Sequence, residues 1–471
     1  MTGNAVSSVA LAEDLIALKP ENLTTEDIDQ LKRLILDHAA VTLCGSLQPW
    51  GRKLTAWARQ YGAQGRAVLV GSGDRAGAAT ASLVNGTSAH GYELDDTHES
   101  SHSHPGAVVI TAALAVGAEL GSSGRDVMTA ILAGYEIMTR LGMAAGPRAT
   151  GETGFHATCL FGPFGAAAAA ARLMGLDAGQ LAQAWGIALS MTGGASQFAF
   201  EPKGTMVKRM HGGIPAQNGI IAAQLAGLGV AGPVRAFEGE HGFFHLYGRN
   251  PDPSLLMRRK GEPFQIHRMS FKPYSCCRKF HSLIDALETA TDGFTVDPKA
   301  IDRITVYSPT GSIEKHQMKR PDSVMAAQYS MPYIVGATLA YGAKRYDAYG
   351  PEHHGDRKIL DIVDRVEAKL DTSLDLYLDD SMPNRVTVHM RDGSERKETV
   401  IESLGSPERP LSMDGLAEKA RALLAMVESG IDVDRLVKSV DALPAANDIS
   451  AFVGTLVIPG YPSEGRGSKA A

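Results

Sequence analysis

Most of the chemistry this chain displays in any one place lies between His90 and Gly106, in the run HGYELDDTHESSHSHPG. The run holds Glu93, Asp95, Asp96, Thr97 and Glu99 together with His90, His98, His102 and His104. Imidazoles and carboxylates set side by side can give and take protons near neutral pH. Apolar, small-residue segments flank the run. A strongly titratable stretch between two core elements is costly to desolvate unless function requires it.

The flanking segments must position these groups. Ala79 to Leu94 reads as a buried helix with polar residues arriving only at its end, and Ala107 to Gly121 reads as a second. If the first continues to Thr97, then Glu93, Asp96 and Thr97 lie three and four residues apart and share a face. His104-Pro105-Gly106 leads into the second helix, whose free amides can hold an anion. Acid–base groups facing an anion site suit an enzyme that acts on a carboxylate.

Two further segments carry candidate groups. His156 stands just before the alanine run of GFHATCLFGPFGAAAAAARLMGL, either as a functional imidazole or as a helix-capping or hydrogen-bonded core histidine. GTMVKRMHGG places Lys208, Arg209 and His211 at the entry to an apolar helix. Basic residues there oppose the helix macrodipole, so they either serve an anion or form an ordinary solvated turn. Trp185 reads as core.

The totals narrow the class. At 471 residues the chain exceeds one ordinary core, and 44% hydrophobic with 21% charged residues is a globular composition. A net charge of -6 argues against a general nucleic-acid surface. Cys44, Cys159, Cys276 and Cys277 are too few for a disulfide scaffold, and the adjacent pair reads as buried packing. The N-terminus lacks secretory or transit features and no apolar run reaches spanning length, so a cytoplasmic protein without membrane contact is expected. Gly71, Gly73 and Gly77 miss the GxGxxG spacing by one place, which argues against a dinucleotide site.

In chain order, helices are expected over 9–19, 25–45, 51–63, 121–145, 153–176 and 178–192, and again from 204. The Thr25 and Asp27 pair marks one helix start. Beyond 265 the pattern changes. A helix opens in FKPYSCCRKFHSLIDALETA, strands follow at 303–309 and 384–393, and helices are expected at 325–343 and 355–369. Asp392-Gly393 signals a hairpin into SERKETV. Helices return after Ser412, and the final residues read as a frayed tail.

HGYELDDTH with its following HPGAVV, GFHAT, GTMVKRMHGG and KPYSCCRKFHSLIDA together resemble the MmgE/PrpD family, with motif order kept from about residue 10 to 455. The resemblance implies a mainly α fold. Its parts are a large all-helical domain, discontinuous in sequence (1–270 and 406–460), an inserted α/β lid domain (271–405), and a flexible tail (461–471). It also implies a homodimer, no organic cofactor, and an active site in a cleft between domains. The residues it marks as catalytic are Asp96, His104, His156, Lys208 and His281. For substrate it marks Thr97 and Lys272; Glu93 and Arg278 are further substrate candidates by residue type, and Tyr333 either faces the cleft or is core. Glu93 stands where dehydratase- and decarboxylase-like members tend to carry Asp, closer to an epimerase-like member. Cys276-Cys277 stands where the decarboxylase looks to have a histidine.

Members of such a family act on small polycarboxylates, and a shared difficulty follows. A carbon beside a carboxylate must gain or lose a proton while the developing negative charge is held. The expected reaction is that of a hydro-lyase of the 2-methylcitrate dehydratase type. An epimerase or isomerase of an amino- or imino-dicarboxylate, and a cis-aconitate-type decarboxylase, are the alternatives. His104 or His156 would carry the proton, the lysines would pair with carboxylates, and Arg278 would clamp one. Asp96 would orient a histidine, and Thr97 would donate to a substrate oxygen. His90 is expected to cap or pack beneath. Asp95, Asp96, His98, His102 and His104 offer metal donors but match no metal-binding spacing, so no metal is expected. A non-catalytic scaffold of the same fold would have no reason to keep such groups in an apolar setting.

Overall fold

Alanine and glycine dominate the helices that surround the titratable run, and small side chains let helix backbones approach closely. The computed structural model describes residues 7–146, 149–150, 152–200, 205–313, 316–378 and 381–462. It is mainly α and divides into two compact units. One comprises Met1–Phe198, Met206–Met269 and Ser412–Ala471, the other Ala199–Thr205 and Ser270–Leu411. Most of the expected tail falls outside the described residues. Among the described residues no helix is long and apolar enough to cross a membrane.

The first unit is helical. Its opening helices are α1 (Ser8–Ala17), α2 (Thr25–Ser46) and α3 (Pro49–Tyr61). A two-strand ribbon follows, β1 (Ala67–Val68) with β2 (Arg75–Ala76). Then come α4 (Ala78–Ala89), α5 (Pro105–Leu120), α6 (Gly124–Ala144), α7 (Ala157–Leu173), α8 (Ala178–Leu189), α9 (Val207–Gly227) and the short α10 (Phe243–Tyr247). The N-cap of α2 is Thr24, one residue before the expected start. Its hydroxyl accepts from Asp27 N while the Asp27 carboxylate accepts from Thr24 N, a reciprocal box.

Helices α4 and α9 pack closely. A Cβ on Gly86 would lie 2.8 Å from Gly212 O, so only glycine allows this approach. Helix α7, with Ala166 to Ala171 wholly buried, packs on α5, α6 and α9. Trp185 is core as expected, its indole N–H donating to Phe164 O at 3.0 Å.

The second unit holds α11 (His281–Ala290), β3 (Ile301–Ser308), α12 (Val324–Tyr329), α13 (Met331–Tyr341), α14 (Arg357–Val363), β4 (Val366–Leu370), β5 (Asn384–Met390) and β6 (Glu395–Val400). Its sheet runs β4-β3-β5-β6, with β4 parallel to β3 and the other pairs antiparallel. Ile304 faces Val388 and Val306 faces Val386, which join Ile284, Leu287, Ile334, Val335 and Val363 in one core. The hairpin turn at Asp392-Gly393 forms as expected, Gly393 taking a φ of 88°.

Two helix expectations are corrected here. The run 325–343 is two helices, because Ser330 leaves helical geometry to cap α13 ahead of Pro332. The run 355–369 is a helix only to Val363. Val366 onward pairs with β3 as β4, a tertiary pairing that overrides local propensity. The chain then returns to the first unit with α15 (Met413–Met426), α16 (Val433–Ala442) and α17 (Ser450–Gly454).

Candidate active site

The helix over 79–94 does not run on to Thr97. It ends at Ala89, with His90 as its C-cap. Glu93 then takes a φ of 57°, a left-handed conformation rare for a residue with a side chain. The chain doubles back there, so Glu93, Asp96 and Thr97 do not share a helix face. The reversal instead returns Asp95 to His90. His90 Nδ1 lies 2.6 Å from Asp95 Oδ2, both side chains being buried.

Asp95, and not Asp96, is the aspartate that meets histidines. The same Asp95 Oδ2 is 3.7 Å from His104 Nδ1. That nitrogen also faces the backbone oxygen of Asp96 at 2.8 Å and Thr97 Oγ1 at 3.3 Å. A carbonyl oxygen only accepts, so Nδ1 of His104 carries the proton, and in the neutral form of that tautomer Nε2 is the acceptor. Thr158 Oγ1 accepts from His104 N at 3.1 Å and so pins this residue to the start of α7.

The Asp96 carboxylate is engaged elsewhere. Oδ1 accepts from Gly106 N at 2.9 Å, and Oδ2 accepts from the Tyr135 hydroxyl at 2.6 Å. The α5 amide that was expected to hold a substrate anion thus holds an internal one. Burial pushes the Asp96 carboxyl up to about 7, against the opposing pull of the Tyr135 hydrogen bond. A Cβ on Gly106 would sit 2.7 Å from Asp96 Oδ1, so glycine is required for this contact.

Around Asp95 the imidazoles assemble. The His90 ring is 5.0 Å from that of His104 and 5.5 Å from that of His156, and His156 is 5.2 Å from His211. His156 occupies the N-cap position of α7, but its side chain caps nothing; Nδ1 meets His211 Nδ1 at 3.2 Å. Burial, reinforced by Lys208, lowers the proton affinity of His90, and burial with the neighbouring His90 and Lys208 lowers that of His156. Burial also takes His211 down to about 4. These rings are held neutral. His90 is 0% exposed, and its Nε2 has no hydrogen-bond partner among the described residues.

The basic turn of α9 is not solvated. Lys208, Arg209 and His211 are all buried. The Lys208 ammonium pairs with the Glu93 carboxylate, and the Arg209 guanidinium donates to Gly91 O while lying 3.9 Å over the Trp50 ring. Beneath the loop, Lys419 of α15 bonds Asp37 Oδ1 and Leu94 O, each at 2.7 Å. A residue more than 300 positions away therefore anchors the carbonyl just before Asp95.

In the second unit a separate group forms ahead of and within α11. Lys272 and His281 are wholly buried and Arg278 nearly so. His281 Nε2 faces Cys276 O at 3.3 Å, its Nδ1 lies 3.4 Å from Arg278 Nη1, and Arg278 Nη2 donates to Ser270 Oγ at 3.2 Å. Asp285 accepts from the Tyr274 hydroxyl and from Leu404 N, each at 2.6 Å. Tyr333 belongs to the core of this unit. It is 0% exposed, with its hydroxyl set against Ala348 O and His353 O. Tyr333 thus packs in the core of this unit, as one of the two expectations had it. Of the cysteine pair expected to be buried, Cys276 is buried and Cys277 only half-buried.

Sequence profiles confirm what the motifs suggest. The MmgE/PrpD N-terminal domain matches residues 9–256, and the MmgE/PrpD C-terminal domain matches residues 274–443. The chain belongs to the MmgE/PrpD family. Among its relatives are a cis-aconitate decarboxylase-like protein of Aspergillus oryzae, 29% identical over 93% of this chain and 95% of that one. A cis-aconitate decarboxylase of Aspergillus terreus is 26% identical, covering 93% and 94%. The human cis-aconitate decarboxylase is also 26% identical, covering 98% and 96%.

Within this MmgE/PrpD chain the groups named for a metal scatter. His98 turns to Ser101 Oγ and Gln265 Oε1, and His102 is exposed. His90, Asp95 and His104 do bring donor atoms within 4.8 Å of one another. Here the two ring nitrogens nearest Asp95 are hydrogen-bond donors to oxygen, an arrangement that also suits proton transfer. His90 and Asp95 are the functional candidates that residue spacing missed. Five positions apart, they meet only because Glu93 reverses the chain.

Proposed function

We propose that this MmgE/PrpD member is a lyase acting on a small tricarboxylate of the citrate and aconitate class, by proton transfer at a carbon beside a carboxylate. The observation that carries this reading is the imidazole cluster around Asp95, where Nδ1 of His90 and of His104 face oxygen acceptors and burial with the nearby Lys208 ammonium keeps His90 and His156 neutral. An imidazole whose Nδ1 is pinned by oxygen acceptors presents Nε2 as a base, and the acceptors steady the ring when it becomes charged. His104, at 13% side-chain exposure, is the first choice to receive the proton. His156 is the second ring available to it. Lysine ammonium groups hold the carboxylates, and no organic cofactor is needed.

Bases held unprotonated suit abstraction of a proton, which begins a dehydration of the 2-methylcitrate type. The second reading is decarboxylation of cis-aconitate, favoured by the names of relatives that span over nine-tenths of this chain. There the imidazolium would instead deliver a proton to the carbon that loses carbon dioxide. A homodimer in the cytoplasm completes the proposal.

Incubation of the protein with citrate, 2-methylcitrate, cis-aconitate and iminodisuccinate in heavy water, followed by NMR, tests both readings. A new alkene signal from a hydroxy-tricarboxylate supports dehydration, and bicarbonate from cis-aconitate supports decarboxylation. Deuterium uptake with no bond cleavage would replace both with epimerisation. No change in any of them would remove the enzymatic reading.

A further inference from the structure

The Glu93 and Lys208 pair is an expensive thing to build. Both side chains are almost wholly buried, and burying an ion pair commonly offsets its own attraction through lost hydration. The backbone of Glu93 adds to the cost through its left-handed φ of 57°. Lys208 adds more, as a cation in the first turn of α9, where the helix favours an anion. Three unfavourable choices meet at one contact beside the imidazole cluster, where Lys208 lowers the proton affinity of His90, His156 and His211.

Stability gives little reason to retain such a pair; a role in binding does. The lyase reading, on which this inference rests, asks Lys208 to hold a substrate carboxylate. In the resting chain that ammonium already holds a carboxylate of the same chemistry. We propose that Glu93 is a place-holder carboxylate, which occupies Lys208 until a substrate carboxylate displaces it. Exchange of one carboxylate for another means that Lys208 is never buried as a lone charge.

The same exchange acts as a filter on ligand charge. Glu93 is tethered to the site, so it competes with the advantage of an intramolecular partner. A monocarboxylate brings nothing further to the contest and loses it. A tricarboxylate gains contacts through its other carboxylates and prevails. Glu93 is thereby a specificity-determining residue that selects polyanions over monoanions.

Calorimetric titration with propane-1,2,3-tricarboxylate, an unreactive tricarboxylate, and with butyrate tests this. Four proteins are compared: wild type, Glu93→Gln, Lys208→Met and the double variant. The expected result is that Glu93→Gln tightens tricarboxylate binding about tenfold and admits butyrate, and that this gain vanishes when Lys208 is also replaced. Binding by wild type with unchanged or weaker binding by Glu93→Gln overturns the place-holder and leaves the lyase reading standing. Absence of tricarboxylate binding in wild type and variants alike overturns both. If Glu93→Gln does not fold, a structure of wild type with the tricarboxylate bound decides. Lys208 Nζ moved beyond about 4 Å from Glu93 and onto the ligand supports exchange, and an intact pair overturns it.

Discussion

His90 and His98 lie eight positions apart in one run, both almost wholly inaccessible to solvent, and burial lowers the proton affinity of each. In residue type, burial and the direction in which burial moves their proton affinity they are alike. Their hydrogen bonds separate them. His98 uses both ring nitrogens, one on Ser101 Oγ at 2.9 Å and the other on Gln265 Oε1 at 3.1 Å. His90 uses one, on Asp95, and among the described residues its Nε2 has no partner. A buried polar atom left unsatisfied is uncommon and calls for a reason, whereas a satisfied one is accounted for by the fold. The His98 limb of the run is architecture, and the His90 limb is the candidate chemistry.

The contrast can be broken most sharply at His104, the ring that shares Asp95 with His90. His104→Ala is expected to lower turnover by at least about a hundredfold, measured as initial rate on whichever tricarboxylate the NMR screen identifies. Near-normal turnover would take the proton role from His104. Next in size is the choice between the adjacent aspartates. Asp95→Asn keeps the shape but weakens the grip on two imidazoles, and should cost about 10–100-fold in kcat with little change in KM. Asp96→Asn should cost less turnover, since its carboxylate serves Gly106 N and Tyr135. The reverse order would restore the orienting role to Asp96.

On the other limb the effect belongs to stability. His98→Leu strands Ser101 and Gln265 and should lower unfolding free energy by about 1–3 kcal/mol in a denaturant titration, while the folded protein keeps its kcat. A collapse of kcat at unchanged stability would make the limbs equivalent after all. The smallest and broadest effect is in the pH dependence of stability. His38 is held down to about 3, and His98 and His211 to about 4, so each is neutral in the fold and charged in the unfolded chain below its ordinary value. Their contribution is complete above pH 6.5 and is lost as pH falls toward 4. Asp96, raised to about 7, acts oppositely; its contribution is complete below its ordinary 3.8 and is lost as pH rises through 7. The depressed histidines, His90 and His156 among them, outnumber the raised carboxyls of Asp96 and Glu136. The thermal midpoint should fall from pH 6.5 to 4, and more steeply in Asp96→Asn, as differential scanning calorimetry would register.

Much of this was legible in the residue order. The two small-residue helices flanking the titratable run form where their apolar composition put them, although the first ends at Ala89 and not at the expected Leu94. The change to a strand-bearing segment beyond 270 was readable in alternating β-branched residues. Lys208, His104 and His156 were readable as polar groups in apolar surroundings. The strand at 366–370 was not, since a five-residue segment takes its conformation from the β3 edge beside it. Tyr333 was not, because a tyrosine in an apolar helix looks the same whether its hydroxyl meets a ligand or a backbone carbonyl.

The order of residues alone determined the family, the mainly α architecture, and the set of acids, imidazoles and ammonium groups available for proton transfer. Which of them work together was decided only in three dimensions. One left-handed residue, Glu93, turns the chain so that Asp95 rather than Asp96 faces the histidines, and Lys419 from far along the chain holds that turn from below. Local spacing fixes what a helix face carries, but a reversal supported by distant partners obeys no local period.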